Sequence, residues 1–208
     1  GEVVGREDVF YAFPCQEGQA LANDMSKYTQ FVAEKDFALN EAVQNIDVQK
    51  NNLREQVYDI VQDVKSLLGK ANVVVPGSAQ LEISHHYGID NFYETGITMI
   101  TVVNRDYCKK LIITLPNQRH PTQFHKQKEE TFVVLYGDVD LYLDGELHSL
   151  KKGDVITIEP GTQHSFTTTN GCVIEEVSST HYVNDSFYVD TKIMQNKNRK
   201  TFITHWMN

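Results

Sequence analysis

Between Ile97 and Val177 the chain repeats one pattern, a short run of β-branched and aromatic residues closed by a turn signal. The runs are Ile97–Asn104, Lys109–Leu115, Thr131–Tyr136, Val139–Leu143, Val155–Ile158, Ser165–Thr168 and Cys172–Val177. No stretch with helical period separates them, so parallel βαβ units are excluded and an antiparallel sandwich or barrel is expected. Asp144-Gly145 and Asn170-Gly171 are dipeptides suited to tight primed hairpins, whose central positions need positive φ. Gly137 and Gly153 punctuate two further joins. We assign residues 81–208 to a mainly β barrel domain.

Residues 1–80 have a different texture. Leu53, Val57, Ile60, Val61, Val64, Leu67 and Leu68 recur at helical spacing, and Gly69 stands where a C-terminal stop belongs. The spacing predicts a helix over 50–69 with one apolar stripe, packed on its own domain in preference to a partner. Upstream, Asp8–Phe13 suits a short strand and Asn23–Val32 the start of a helix. Residues 1–80 are therefore an α-helical and irregular arm.

Charge narrows the function classes. Nineteen basic residues against twenty-eight acidic ones leave a formal net charge of −9. A nucleic-acid or anionic-membrane binder needs a basic surface, so neither partner is expected. No apolar run approaches the roughly 20 residues that span a bilayer. The first residues do not follow the pattern of a signal peptide. Cys15, Cys108 and Cys172 are odd in number and form no CxxC pair, which fits free thiols in a reducing cytoplasm.

The residues with chemical content lie between Asn117 and Asn170. NQRHPTQFHKQKEETFVVLYG places Glu130 five residues after His125, and Gly137 after six more. GDVITIEPGTQH runs from Gly153 to His164. Side chains alternate along a strand, so histidines and a carboxylate on neighbouring strands of a small barrel can converge inside. Two imidazoles, a carboxylate and open positions suit a divalent first-row ion.

These two segments resemble the paired motifs of the cupin superfamily, a double-stranded β-helix or jelly-roll barrel. Gln123, His125, Glu130 and Gly137 fall on the first motif, and Gly153, Glu159, Gly161 and His164 on the second. The resemblance implies a divalent ion (Zn, Mn, Fe or Ni) held by His125, Glu130 and His164. Three positions depart from the motifs. Gln123 replaces the first histidine, Glu159 the proline, and Thr168 the asparagine. Gln123 through its amide oxygen is the preferred fourth ligand, ahead of His120, which Pro121 separates from the site by a bend. A metal-free barrel, its His and Glu bonded to each other, is the competing reading.

Two finer resemblances point in different directions. Lys128, Glu129 and Glu130 after His125 are similar to cupin sugar isomerases of the D-lyxose isomerase type, in which a lysine and a carboxylate near the metal shuttle protons. That resemblance makes Lys128 a catalytic candidate, provided the segment is extended enough to put it on the face of Glu130. Long segments, including LEISHHYGIDNFYETG, IEPGTQHSF and EEVSSTHYVNDSFY, together with GQALANDMSKYTQF in the arm, resemble the cupin-bearing C-terminal part of N-acetylneuraminate synthase-like proteins. Condensation in those proteins needs a (β/α)8 barrel of roughly 250 residues, which this pattern lacks. This second resemblance implies an accessory cupin domain of sialic-acid-type biosynthesis, beside the synthase domain of a larger chain.

Remaining candidates follow from position. Glu175 and Glu176 lie on opposite faces of one strand, so one must point inward and find a partner; Glu176 is taken as the second catalytic candidate. His120 and Tyr136 are the candidate ligand contacts, although Tyr136, Tyr142, Tyr182, Phe132 and Phe166 fit the barrel wall better than a stacking surface. His85-His86 fits a polar turn with surface histidines. The expectation is a metal-binding cupin with a small-carbohydrate ligand, in a homodimer paired through an edge strand or the arm. Its alternatives are a stand-alone sugar isomerase or epimerase, or a non-catalytic dimerisation barrel.

Overall fold

The computed structural model describes residues 1–26 and 28–207. Two compact units divide the chain, residues 1–60 and 61–208. In the first, β1 (Val3–Val4), β2 (Thr29–Ala33) and β3 (Val48–Asn52) form an antiparallel sheet in the order β1-β2-β3. Asp8–Phe13 forms no strand, and Asn23–Val32 is not helical beyond the single turn Ala22–Asp24. Lys27, within that stretch, lies outside the described residues. The reason is tertiary: Phe31 pairs with Lys50 and is 2% exposed, so strand pairing and burial override a weak helical preference.

Helix α1 (Leu53–Ala71) follows β3 directly. It begins later than the apolar spacing suggests because residues 50–52 are held in the sheet. The side chain of Asn52 accepts the Arg54 backbone N–H at 3.0 Å. Gly69 does not end it. The helix runs on until Asn72 takes a left-handed φ of 54°, and the Val73 N–H closes back on the Leu68 carbonyl at 3.2 Å. Among the described residues no helix is long and apolar enough to cross a membrane.

The second unit is mainly β, as the repeated runs predict. Its strands are β4 (Gln80–His85), β5 (Gly96–Asn104), β6 (Tyr107–Thr114), β7 (Arg119–Phe124), β8 (Glu130–Leu143), β9 (Glu146–Lys151), β10 (Val155–Ile158), β11 (His164–Thr167), β12 (Cys172–Ser179), β13 (Phe187–Tyr188) and β14 (Lys200–Ile203). Short helices α2 (Phe92–Thr95) and α3 (Thr191–Gln195) sit in two of the connections. The eleven strands form a curled antiparallel sheet of order β13-β7-β11-β8-β12-β6-β5-β4-β14, with β9 and β10 also paired to β8. This is the jelly-roll arrangement expected of a cupin.

β8 is the spine of that sheet. Its first half pairs with β10 and β12, its second half with β9 and β11, so one strand passes from one wall of the barrel to the other. The two runs seen in the sequence are this one strand, bent at Gly137. There φ is 74°, and an added Cβ would lie 2.2 Å from the Gly171 carbonyl oxygen. Phe132, Val134, Val139 and Leu141 point from it into a core shared with Ile97, Ile112, Ile158, Phe166 and Ile174. Asp144-Gly145 makes the predicted hairpin into β9, with φ of 49° and 89°. Asn170-Gly171 does not: only Gly171 has positive φ, and β11 and β12 are not paired. The dipeptide carries the chain from one wall to the other.

Gly137→Ala is therefore expected to cost about 3 kcal/mol or more, combining left-handed strain with a backbone clash. Gly145→Ala, where nothing lies within 4 Å, should cost about 1 kcal/mol. Thermal unfolding of both variants by circular dichroism checks the difference; equal melting temperatures would remove the crossing role given to Gly137.

Candidate metal centre

Four strands bring the chemistry together. His125 follows β7, Glu130 opens β8, His164 opens β11, and Glu176 lies in β12. All four are nearly inaccessible, at 4%, 2%, 1% and 2% exposure. Strand alternation explains Glu176: Ile174, Glu176 and Ser178 face inward, while Glu175 pairs with Lys109 on the other face.

The ligating atoms of His125, Glu130 and His164 lie within 4.8 Å of one another. The Nδ1 of His125 donates to the Asp185 carbonyl at 2.5 Å, and the Nδ1 of His164 to the Thr162 carbonyl at 3.1 Å. With each ring's proton committed to a carbonyl, each Nε2 carries a lone pair. Both lone pairs face the same carboxylate oxygen, Oε1 of Glu130, at 3.4 and 3.1 Å. The Nε2 of His125 and Oε1 of Glu130 have no hydrogen-bond partner. Three acceptors converging in a buried space repel one another unless a cation joins them. Protonating His164 instead is opposed, because burial pushes its proton affinity down. The donor set thus fits a divalent ion, with backbone carbonyls fixing both imidazoles from behind.

Gln123 is the cross-strand partner of His164, and its amide nitrogen lies 3.3 Å from the His164 Nε2. His120 stands apart from the three-residue group. Its ring stacks on Phe166 at 4.7 Å between centroids and meets His86 edge-on at 5.1 Å. Tyr136 is half-buried on β8 opposite Val173. A cavity of about 740 Å³ is bordered by His120, Arg119, Tyr142, Ser165 and Asp190, but by neither Tyr136 nor the three grouped residues.

Lys128 lies outside β8, in the bend before it, and still reaches inward. The Asp185 carboxylate accepts the backbone N–H groups of Lys126, Gln127 and Lys128 at 2.9, 3.1 and 3.0 Å. The bend folds the lysine back over the strand. Its Nζ bonds Oε2 of Glu130 at 2.6 Å and Oε1 of Glu176 at 3.0 Å. Burial alone would strip its proton, but the Glu176 and Glu130 carboxylates outweigh that and hold the ammonium above its usual range. Glu130 shows the converse. Burial would raise its carboxyl, yet the Lys128 ammonium keeps it well below the ordinary range. Ser178 Oγ donates to Glu176 Oε1 at 3.0 Å.

Several contributors are absent from the sequence reading. Asp185, far along the chain, orients His125 and Lys128 together. Lys110, 4% exposed, is the cross-strand partner of Glu176; its signal was the inward parity of β6, which fixes one lysine of the Lys109-Lys110 pair. His86 is no surface residue. At 1% exposure it donates from Nδ1 to the Thr95 carbonyl at 2.6 Å, and its Nε2 accepts the Tyr188 hydroxyl at 2.9 Å. Thr168, at the departed asparagine position, bonds the Asp138 carbonyl and the Gly171 N–H, a turn-holding role.

Residues 111–174, which span His125, Glu130 and His164, match the family described as Cupin domain. That segment is similar to a cupin domain. The chain is 29% identical over 170 residues to the D-lyxose/D-mannose isomerase of Thermosediminibacter oceani, covering 67% of this chain and 94% of that protein. Among solved structures, L-ribose isomerase of Cellulomonas parahominis is similar with a TM-score of 0.59 at 14% identity, over 70% of this chain and 96% of that one. The L-ribose isomerase of Geodermatophilus obscurus gives 0.60 at 14% identity, over 71% and 97%. At such identity the structural likeness concerns the fold. These relatives are sugar isomerases, and the resemblance to sialic-acid synthase-like proteins finds no support among them.

Asp185→Ala is expected to lower stability by about 3 kcal/mol, since three backbone N–H groups lose a charged acceptor. It should also weaken divalent-ion binding about tenfold through the freed bend. Urea unfolding in chelator and metal titration give the two numbers, and wild-type behaviour in both would remove the orienting role.

Proposed function

We propose that the protein is a metal-dependent sugar isomerase that interconverts an aldose and its ketose. The observation that carries this is the buried Glu130–Lys128–Glu176 chain, which sets a carboxylate and an ammonium beside the candidate metal ligands. A structural cation site needs no second carboxylate held by a lysine, whereas proton transfer between adjacent carbons needs both a base and an acid. The relation to a D-lyxose/D-mannose isomerase over most of that protein's length supports the same reading, ahead of an accessory role in sialic-acid-type biosynthesis.

In this reading His125, Glu130 and His164 hold the ion, and Gln123 completes or borders its shell. When bound, the ion would polarise the carbonyl and neighbouring hydroxyl of an open-chain sugar. The Glu176 carboxylate takes the proton from the carbon next to the carbonyl and returns it to the former carbonyl carbon. The Lys128 ammonium gives a proton to the carbonyl oxygen and recovers one from the adjacent hydroxyl. Ser178 and Lys128 hold the Glu176 carboxylate in place between turnovers. Burial keeps bulk water from the exchanging proton. The substrate class is a small neutral aldose, and the β14 edge of the sheet is where a second copy would pair to form a homodimer.

Metal-loaded protein incubated with D-lyxose, D-mannose and L-ribose should form the corresponding ketoses, detected by chromatography. Glu176→Gln should lower kcat by roughly 100-fold or more with metal content retained, and Lys128→Met should lower it at least as far while also weakening metal binding, since Glu130 loses its charged partner. No interconversion of any aldose by the loaded protein would overturn the proposal. Light scattering should give twice the mass of one chain, and a monomer mass would remove the dimer.

A further inference from the structure

We propose that Gln123 decides which cation this site prefers, by turning its side-chain amide so that oxygen becomes a fourth donor. This rests on the metal reading of the site and goes beyond it. The amide nitrogen now lies 3.3 Å from the His164 Nε2. That nitrogen carries a lone pair, because the ring's proton is spent on the Thr162 carbonyl. The amide therefore donates to the very lone pair a cation requires. Once a cation takes it, the amide N–H is left facing a positive charge with no acceptor. A half-turn of the terminal amide exchanges nitrogen for oxygen with no other movement, since the two ends occupy the same volume.

The surroundings leave this position to Gln123. His164 lies across from it on β11 and Tyr188 across from it on β13. The Tyr188 hydroxyl is engaged with His86, and the His120 ring with Phe166. The resulting donors are two imidazole nitrogens, one carboxylate oxygen and one amide oxygen. Carbonyl and carboxylate oxygens suit Mn²⁺ better than they suit Ni²⁺ or Zn²⁺, which gain more from a third imidazole. Gln123 thus lowers the advantage that the later ions would hold in a three-histidine site.

The full chain, stripped with chelator, is titrated with Mn²⁺, Ni²⁺ and Zn²⁺ in competition with a chromophoric chelator, and Mn²⁺ is followed by electron paramagnetic resonance. Gln123→His should tighten Ni²⁺ and Zn²⁺ about tenfold or more while Mn²⁺ changes less than about threefold, and Gln123→Leu should weaken Mn²⁺ about tenfold. Gln123→Glu, which keeps the shape and offers oxygen in either orientation, should hold Mn²⁺ at least as tightly as the wild type. Melting temperatures of the stripped proteins identify any variant that fails to fold, and Gln123→Glu then decides, its loss of Mn²⁺ counting against the proposal. Unchanged or tighter Mn²⁺ binding in Gln123→Leu would mean that the amide only blocks His164, and an unchanged Ni²⁺/Mn²⁺ ratio in Gln123→His would overturn the proposal equally. Absence of saturable binding of all three ions by the wild type, matched by Glu130→Gln, would instead remove the metal reading and this inference with it.

Discussion

A single carboxylate with two differently occupied oxygens organises the interior of this barrel. Oε2 of Glu130 is neutralised by the Lys128 ammonium, while Oε1 faces two imidazole lone pairs. Neither half stands without the other. An ionised carboxylate at 2% exposure is costly unless paired, and pairing with Lys128 is what keeps it charged and able to ligate. Lys128 is retained in turn by Glu176, and Glu176 lies between Lys128 and Lys110. Around the site the buried lysines Lys110 and Lys128 stand against the buried carboxylates Glu130, Glu176 and Asp185, an excess of one carboxylate. A divalent ion brings two charges, so one is left for the oxygens of a ligand.

The part of the site on regular strands was legible in the sequence because strand geometry is periodic. Two motifs gave the spacing of His125, Glu130 and His164, and alternation required one of Glu175 and Glu176 to face inward, a place the structure gives to Glu176. Alternation failed where geometry departs from it. Lys128 reaches the site from a bend, and only Asp185, some sixty residues on, explains how. β7 went unseen because a strand facing a polar site carries His, Gln and Pro in place of the usual β-branched pattern, and β9 because its exposed face is polar. In the arm, weak local preferences gave way to pairing between β2 and β3.

The two family resemblances diverged for a related reason. Much of LEISHHYGIDNFYETG reports packing. Leu81 and Ile83 are fully buried, His86 is pinned at both nitrogens, and Gly96 sits where a Cβ would strike Phe92. Such residues describe a barrel, and barrels of one architecture host many activities. Chemical content sits in fewer positions, and it was Lys128, Glu129 and Glu130 after His125 that resembled the sugar isomerases to which the chain is similar. The long resemblance and the short one were carried by different residues of the same chain.

The two halves of the site also hold each other without an ion. The Gly161 N–H donates to the His125 carbonyl at 2.6 Å, tying the second motif's turn to the first motif's histidine. Gly161 has a φ of 89°, which lets the backbone make that approach. On the other side of His164, the Asp144 carboxylate accepts the Gln163 N–H at 2.9 Å, so the β8–β9 turn anchors the start of β11. Both imidazoles are thus fixed in backbone position and in tautomer before any cation arrives. A site built this way spends little of its binding energy on assembling itself, which in the proposed scheme leaves its choice among ions to the amide of Gln123.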